Sequence, residues 1–168
     1  MIIKKHIENT IVMLDARYNQ ALLSPTPQDA IYFSKLAILE YGGWIEESFD
    51  VIIKRTVKGK LKTQIYQNIH AKDIIKPNFG FEYKKHFRTM MYKSVGLVAT
   101  ELIEKHLNDT GKLQIFESEL DSLKTHRDDA AHTWIYATRM YPSPSVIKGK
   151  LDILYPIMKS IYSQVVRL

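Results

Sequence analysis

The sequence predicts an all-α protein, a single-domain bundle of four to five helices. Apolar residues recur every three or four positions over long segments, which is the period of an amphipathic helix. Only 7 glycines and 6 prolines are present, and all the prolines except Pro156 fall between the periodic segments. A chain of 168 residues is long enough to bury a core of its own. We therefore expect residues 1–168 to form one helical domain.

Two long helices are predicted in the first third of the chain. The first runs from about Ile3 to Leu22 and has one apolar stripe. The second begins near Pro27, because Thr26 followed by a proline is a helix-start signal, and it continues to about Lys54. It is apolar on two sides, which predicts a place in the middle of the bundle. We interpret its Gly42–Gly43 pair as a close crossing by a neighbouring helix, since each glycine costs roughly 1 kcal/mol of helix propensity.

The middle of the chain predicts a crossover followed by a third long helix. Leu61 to Lys76 is expected to be a short helix or an irregular crossover. The third helix should run without interruption from about Glu82 to His106. Its apolar period places Val98 and Leu102 on the buried stripe.

Two more helices are predicted in the last third. One runs from Leu113 to about Thr133 and leads into a segment rich in reactive side chains. The last runs from Val146 to Leu168 with one continuous apolar face, and Pro156 is expected to kink it.

The charge of the chain is positive and unevenly distributed. The net charge is +6, and residues 61–106, with eight basic and four acidic side chains, supply four of the six positive charges. This segment is therefore expected to face an anionic partner or, alternatively, to be an ordinary solvated face.

Several protein classes are excluded by composition. The chain has no cysteine, which excludes disulfide scaffolds, thiol nucleophiles and zinc knuckles and favours a reducing compartment. No stretch approaches the ~18 apolar residues of a membrane span, and the charges of Lys4 and Lys5 do not fit a signal peptide. We expect a cytoplasmic protein without a membrane partner.

The segment from His126 to His132 carries the candidate chemistry. Asp128 and His132 are four residues apart, so on a helix the carboxylate can orient the imidazole ring and stabilise its protonated form. Arg127 and His132 are five apart, about 140° around the helix, and converge only through the long arginine side chain or a break in the helix. His126, Asp128 and His132 alternatively suggest a divalent metal site, but His126 points away from the other two on one helix.

The spacing of Arg127 and His132 resembles the motif of the HEPN superfamily. That motif is an arginine, often followed by a polar residue as here in Asp128, with a histidine four to six positions after the arginine. The resemblance extends to the helical pattern, to the helix that spans residues 33–50, and to the Pro-Ser-Pro-Ser turn at 142–145 before the last helix. In this turn into the last helix the chain is similar to small stand-alone members of the superfamily, including those associated with anti-phage loci.

The resemblance implies a homodimer that acts as a metal-independent ribonuclease without a cofactor. His132 of two copies would supply the base and the acid for attack by the RNA 2′-hydroxyl, Arg127 would clamp the phosphate, and Asp128 would orient the ring. The implied partners are RNA, a second copy of the chain, and an antitoxin or other defence-system protein. The alternative is a HEPN-like module that binds RNA or a partner without catalysis, in which Arg127 pairs with Asp128 or Glu119.

Two further sets of residues are candidates for binding. Lys84, Arg88 and Tyr92, at four-residue steps, predict a basic and aromatic stripe that tracks an RNA backbone, or else an exposed helix face. Trp134 and Tyr136 are expected at the dimer contact. HEPN members that a nucleotidyltransferase inactivates carry a tyrosine two residues after the histidine, where this chain has Trp134, so that route of regulation does not follow from the resemblance.

Overall fold

The computed structural model describes residues 1–25, 28–133 and 140–168, and within these ranges the chain is all-helical without a strand. The α-helices are α1 Lys5–Leu22, α2 Gln28–Val57, α3 Gln64–Ile69, α4 Arg88–Val95, α5 Leu97–Asp109, α6 Lys112–His132 and α7 Pro144–Arg167. Two π-helical segments, His70–Ile75 and Tyr83–Phe87, precede α4. Among the described residues, no helix has both the length and the apolar character needed to cross a membrane.

The predicted first, second, fourth and last helices correspond to α1, α2, α6 and α7, with bounds that differ by a few residues. The segment from Leu61 to Lys76, expected to be a short helix or an irregular crossover, contains α3 and the π-helical segment after it. The apolar face predicted for the last helix is confirmed, because all six of its residues are buried: Ile147, Leu151, Leu154, Met158, Ile161 and Val165. The helix α7 continues past Pro156, where a kink stays a prediction. The helix-start signal at Thr26 and Pro27 lies outside the described residues.

The prediction that the third helix runs without interruption is wrong. Gly96 has φ +84° and separates α4 from α5, and the stretch before α4 is π-helical. That φ lies in the region that glycine enters without steric cost. Because the break changes the rotation of α5, Val98 and Leu102 are exposed, whereas the buried residues of α5 are Thr100, Ile103 and Leu107. The helix count is therefore higher than the four to five expected.

The contacts group into two compact units. The first contains residues 1–2, 45–121 and 156–168, and the second contains residues 3–44 and 122–155. The helices α2, α6 and α7 each contribute residues to both units. The single domain expected from the sequence stays a prediction.

An aromatic cluster forms the core of the first unit. The rings of Phe49 and Phe87 lie 4.2 Å apart between centroids, and Phe116 lies edge-on to both. Tyr83 packs edge-on against Phe116 at 5.6 Å. All four side chains are buried. Edge-to-face pairs of this kind add to the free energy gained by burying the rings.

The second unit buries aliphatic residues of four helices and anchors Trp44 at its edge. Its core consists of residues from α1, α2, α6 and α7, among them Ile11, Leu14, Ala37, Ile38, Leu123, Ala130, Ile147 and Leu151. The indole of Trp44 donates a hydrogen bond to the carbonyl of Ile3 at 2.9 Å and stacks on Tyr41. Trp44 is half-buried, so at this residue one of the two apolar sides predicted for α2 is only partly covered.

The close crossing predicted at the two glycines of α2 is wrong at Gly43. Gly42 is buried, but Gly43 is exposed, and a Cβ added there would meet no atom within 4 Å. Gly43 therefore makes no close packing contact that an alanine at this position would prevent.

Candidate active site

The motif lies at the end of α6 and remains helical throughout. The helix ends at His132, and the amide of Thr133 still donates to the carbonyl of Asp129 at 3.1 Å. On a regular helix Arg127 and His132 are about 140° apart. Within the described residues, no hydrogen bond or ion pair joins His132 to Arg127 or to Asp128. One copy of the helix therefore does not bring the two motif side chains together.

The burial pattern of α6 separates the arginine from the histidine. Arg127 falls between Leu123 and Ala130 at four- and three-residue intervals, and both of these neighbours are buried. The arginine side chain is consequently only 39% exposed. His132 lies about 180° from Leu123 around the helix and is exposed. On this helix the guanidinium of Arg127 is therefore half-buried, whereas the imidazole of His132 is exposed to solvent.

The carboxylate of Asp128 is bound by two cations. Its Oδ1 accepts a hydrogen bond from Nη1 of Arg127 at 3.2 Å, and its Oδ2 accepts one from Nζ of Lys124 at 3.1 Å. Slight burial pushes the pKa of Asp128 upward, but the bonds from Lys124 and Arg127 outweigh it and hold that pKa below the usual value. The carboxylate is therefore ionised at neutral pH. In the described part of the chain, no hydrogen bond joins this carboxylate to the ring of His132, so its role in orienting the ring stays a prediction.

Two side chains distant in sequence fix the end of α6, and sequence reasoning missed them in this role. Nζ of Lys35 donates to the carbonyl of Thr133 at 2.7 Å, and the hydroxyl of Tyr141 donates to the carbonyl of Asp129 at 3.2 Å. The same ammonium lies 5.7 Å from the centroid of the Tyr141 ring. A helix C-terminus leaves carbonyl groups without helical partners and carries partial negative charge, so a lysine and a hydroxyl bind there favourably. Both residues are positioning residues for the turn that carries His132.

The metal alternative finds no support in the geometry. Among the described residues, no group of three or more His, Asp and Glu side chains is arranged to hold a metal ion. His126 is half-buried and lies six residues before His132.

The predicted RNA-binding stripe is built from cations that already have acidic partners. Nζ of Lys84 lies 3.6 Å from Glu117, and the guanidinium of Arg88 binds Glu104 through contacts of 2.8 and 3.1 Å. Lys84 belongs to the π-helical segment and Arg88 begins α4, so the three residues do not share one α-helix. Tyr92 is partly exposed and lines a surface pocket with Arg88 and Glu104. RNA binding by this stripe stays a prediction.

Trp134 and Tyr136, expected at the dimer contact, lie outside the described residues. Thr133 before them and Tyr141 after them are described, and their bonds to Lys35 and Asp129 are given above. The predicted dimer contact therefore stays a prediction.

Comparisons of the chain with protein-family models, with curated proteins and with solved structures give no match.

Proposed function

We propose that this chain is a metal-independent endoribonuclease of the HEPN type that cleaves RNA at a site shared by two copies, and that it serves as a toxin or an anti-phage defence effector. One observation carries the proposal. The end of α6 exposes His132 while half-burying Arg127 on a different side of the same helix. At the motif a single copy thus offers one exposed imidazole, that of His132, whereas acid–base cleavage needs two proton-transfer groups.

A two-fold axis supplies the second group. In an isologous dimer the same surface of each copy meets the other, so the His132 side chains of both copies can reach one phosphodiester. One imidazole takes the proton of the 2′-hydroxyl, the 2′-oxygen attacks phosphorus, and the bond to the 5′-oxygen breaks as the second imidazole protonates that oxygen. The products are a 2′,3′-cyclic phosphate and a 5′-hydroxyl, and neither water nor a metal enters this step.

Arg127 is the candidate for stabilising the phosphorane. Its guanidinium is planar and offers paired N–H donors, which match two oxygens of a phosphate. In the structure this group donates a hydrogen bond to the carboxylate of Asp128. Asp128 therefore holds the guanidinium in place, while Lys124 shares the negative charge of the carboxylate.

The second candidate function is a non-catalytic module of the same architecture. The observation that favours it is the ion-paired group of Lys124, Arg127 and Asp128, which accounts for the arginine without any RNA. The two functions differ in one measurable property, which is cleavage by the purified chain.

The test is incubation of the purified protein with RNA in EDTA, followed by analysis of the new ends. We expect cyclic phosphate and 5′-hydroxyl ends. His132→Ala should lower the rate by at least ~10²-fold, because an acid or base is removed. Arg127→Lys should also be strongly impaired, since an ammonium keeps the charge but loses the paired donors. His126→Ala is the matched control, a histidine of the same helix that should keep near wild-type activity.

Three results would overturn the proposal. The first is RNA that stays intact with freshly folded wild-type protein, which would leave the non-catalytic module. The second is full activity of His132→Ala. The third is cleavage that EDTA abolishes and that needs His126, which would point to a metal site. Light scattering adds an independent measurement, because a strictly monomeric protein that cleaves RNA would contradict the shared site.

A further inference from the structure

The short helix α3 stands out because none of its six residues is buried. Its side chains are nevertheless sorted by polarity. At about 100° per residue, Ile65, Tyr66 and Ile69 occupy an arc of about 100°. Gln64, Gln67 and Asn68 occupy the opposite arc, where Gln64 donates a hydrogen bond to Asn68. The helix is amphipathic, yet its apolar side is exposed, at 70% for Ile65, 61% for Tyr66 and 42% for Ile69.

Lysines flank this helix on both sides along the chain. Residues 58–76 contain five of them and a single acidic residue, Asp73; the lysines are Lys58, Lys60, Lys62, Lys72 and Lys76. All five are exposed. None forms an ion pair within the described part of the chain, and Lys62 binds only the carbonyl of Gly59. Their charge is therefore available to a partner, unlike that of Lys84 and Arg88, whose cations bind Glu117 and Glu104.

We propose that residues 58–76, the α3 surface, dock onto an anionic lipid membrane, with Ile65, Tyr66 and Ile69 entering the interface and the lysines contacting the headgroups. Exposed apolar side chains beside several lysines are the combination that peripheral segments use for anionic bilayers. Docking of this kind is shallow and needs no membrane-spanning helix. The expectation of no membrane partner rests on the absence of a long apolar stretch and of a signal peptide, and neither observation bears on shallow docking.

Other occupants fit the α3 surface less well. A second copy would bring five more lysines against the first five, which opposes association. A single-stranded nucleic acid would use the lysines and the ring of Tyr66, but bases stack on aromatic faces, and two isoleucines offer none. A lipid interface uses every exposed side chain of the apolar arc.

The test is co-sedimentation of the full chain with vesicles. Three compositions are compared: phosphatidylcholine alone, an equal mixture of phosphatidylcholine and phosphatidylglycerol, and phosphatidylglycerol alone. We expect binding that requires phosphatidylglycerol and weakens with added salt. Ile65→Ser with Ile69→Ser should reduce partitioning at least tenfold, because the inserted apolar groups are removed. Since none of the six residues of α3 is buried, circular dichroism and the melting temperature of this variant should stay close to those of wild type.

Matched variants separate a local surface from the general charge of the chain. Lys58→Gln with Lys60→Gln should lower partitioning by roughly 25-fold, about fivefold for each lysine at an anionic surface. Lys93→Gln with Lys105→Gln removes the same charge from α4 and α5 and should lower partitioning less, because neither lysine belongs to the α3 surface. Leu97→Ser with Val98→Ser removes two exposed apolar side chains of α5 and should leave partitioning unchanged.

Three outcomes overturn the proposal. One is no binding to phosphatidylglycerol vesicles. Another is equal losses in the Lys58/Lys60 and Lys93/Lys105 variants, which would mean that only net charge matters. The last combines two results. A fluorescent uridine oligonucleotide binds wild type and binds the Lys58/Lys60 variant more weakly, while the Ile65/Ile69 variant binds vesicles as wild type does. That combination would assign the α3 surface to RNA.

Discussion

Glu104 joins a buried hydroxyl and a cation, and removing its carboxylate should destabilise the first unit. Its Oε1 accepts a hydrogen bond from the hydroxyl of Tyr83 at 2.7 Å, and both its oxygens contact the guanidinium of Arg88, at 2.8 and 3.1 Å. Burial, followed by the hydrogen bond to Glu104, raises the pKa of Tyr83 far above its usual value, so the phenol remains a donor. We expect Glu104→Ala to lower the free energy of unfolding by about 2–3 kcal/mol.

The magnitude follows from the burial of each partner. Tyr83 is buried, so losing its acceptor leaves a polar group without a hydrogen bond, which costs about 1–3 kcal/mol. The side chain of Arg88 is 46% exposed, and water screens its contact, which contributes only about 0–1 kcal/mol. Tyr83→Phe removes the donor and leaves Glu104 paired with Arg88, so it should cost about 1 kcal/mol.

The assay is urea unfolding of wild type, both single variants and the double variant. The Glu104→Ala and Tyr83→Phe effects should not add, because each removes the same hydrogen bond, and a coupling of about 1–2 kcal/mol is expected. Glu101→Ala is the matched control, an exposed glutamate three residues earlier on α5 that should change stability by less than about 0.5 kcal/mol. The reasoning is refuted if Glu104→Ala costs no more than Glu101→Ala or if the two effects add.

Two further predictions concern Gly43 and His70. Gly43→Ala should raise the free energy of unfolding by about 0.5–1 kcal/mol in urea titrations, because the site is helical and open, whereas Gly96→Ala should lower it, since φ there is +84°. Burial, then the charge of Lys54, lowers the pKa of His70, whose Nε2 lies 3.0 Å from Oγ of Ser94. The unfolded chain therefore binds a proton near pH 6.5 that the folded chain resists, so stability is full above that pH and declines below it. His70→Gln should flatten this decline, and parallel pH profiles would contradict the assignment.

Helix existence could be predicted because it depends on local periodicity, whereas the break at Gly96 could not. The apolar pattern from Phe87 to Leu102 is continuous, and one glycine inside such a pattern is compatible with an intact helix. Glycine adopts positive and negative φ at similar cost, so the apolar pattern does not indicate which of the two Gly96 adopts. The exposure of Val98 follows from that single torsion.

At the candidate site, too, local contacts could be predicted from the sequence and long-range contacts could not. The pairing of Lys124 with Asp128 is an i,i+4 contact, and sequence spacing is enough to predict it. The bond from Lys35 to Thr133 joins residues 98 positions apart, so no local pattern could indicate it. Arg88 was expected to be available to RNA, but its acidic partner Glu104 lies 16 positions away on another helix.

The positive charge of the chain illustrates why a count of residues does not locate a partner. Residues 61–106 have the largest excess of basic over acidic side chains, yet Lys84 and Arg88 form ion pairs with Glu117 and Glu104, while the lysines of the α3 surface are not paired within the described residues. The α3 surface and the α6 motif have no residue in common. His132→Ala should therefore leave vesicle binding intact, and Lys58→Gln with Lys60→Gln should leave the cleavage of a short RNA unchanged. If the lysine variant lost cleavage and vesicle binding in equal proportion, the α3 surface would be part of the RNA site, and the lipid proposal alone would fall.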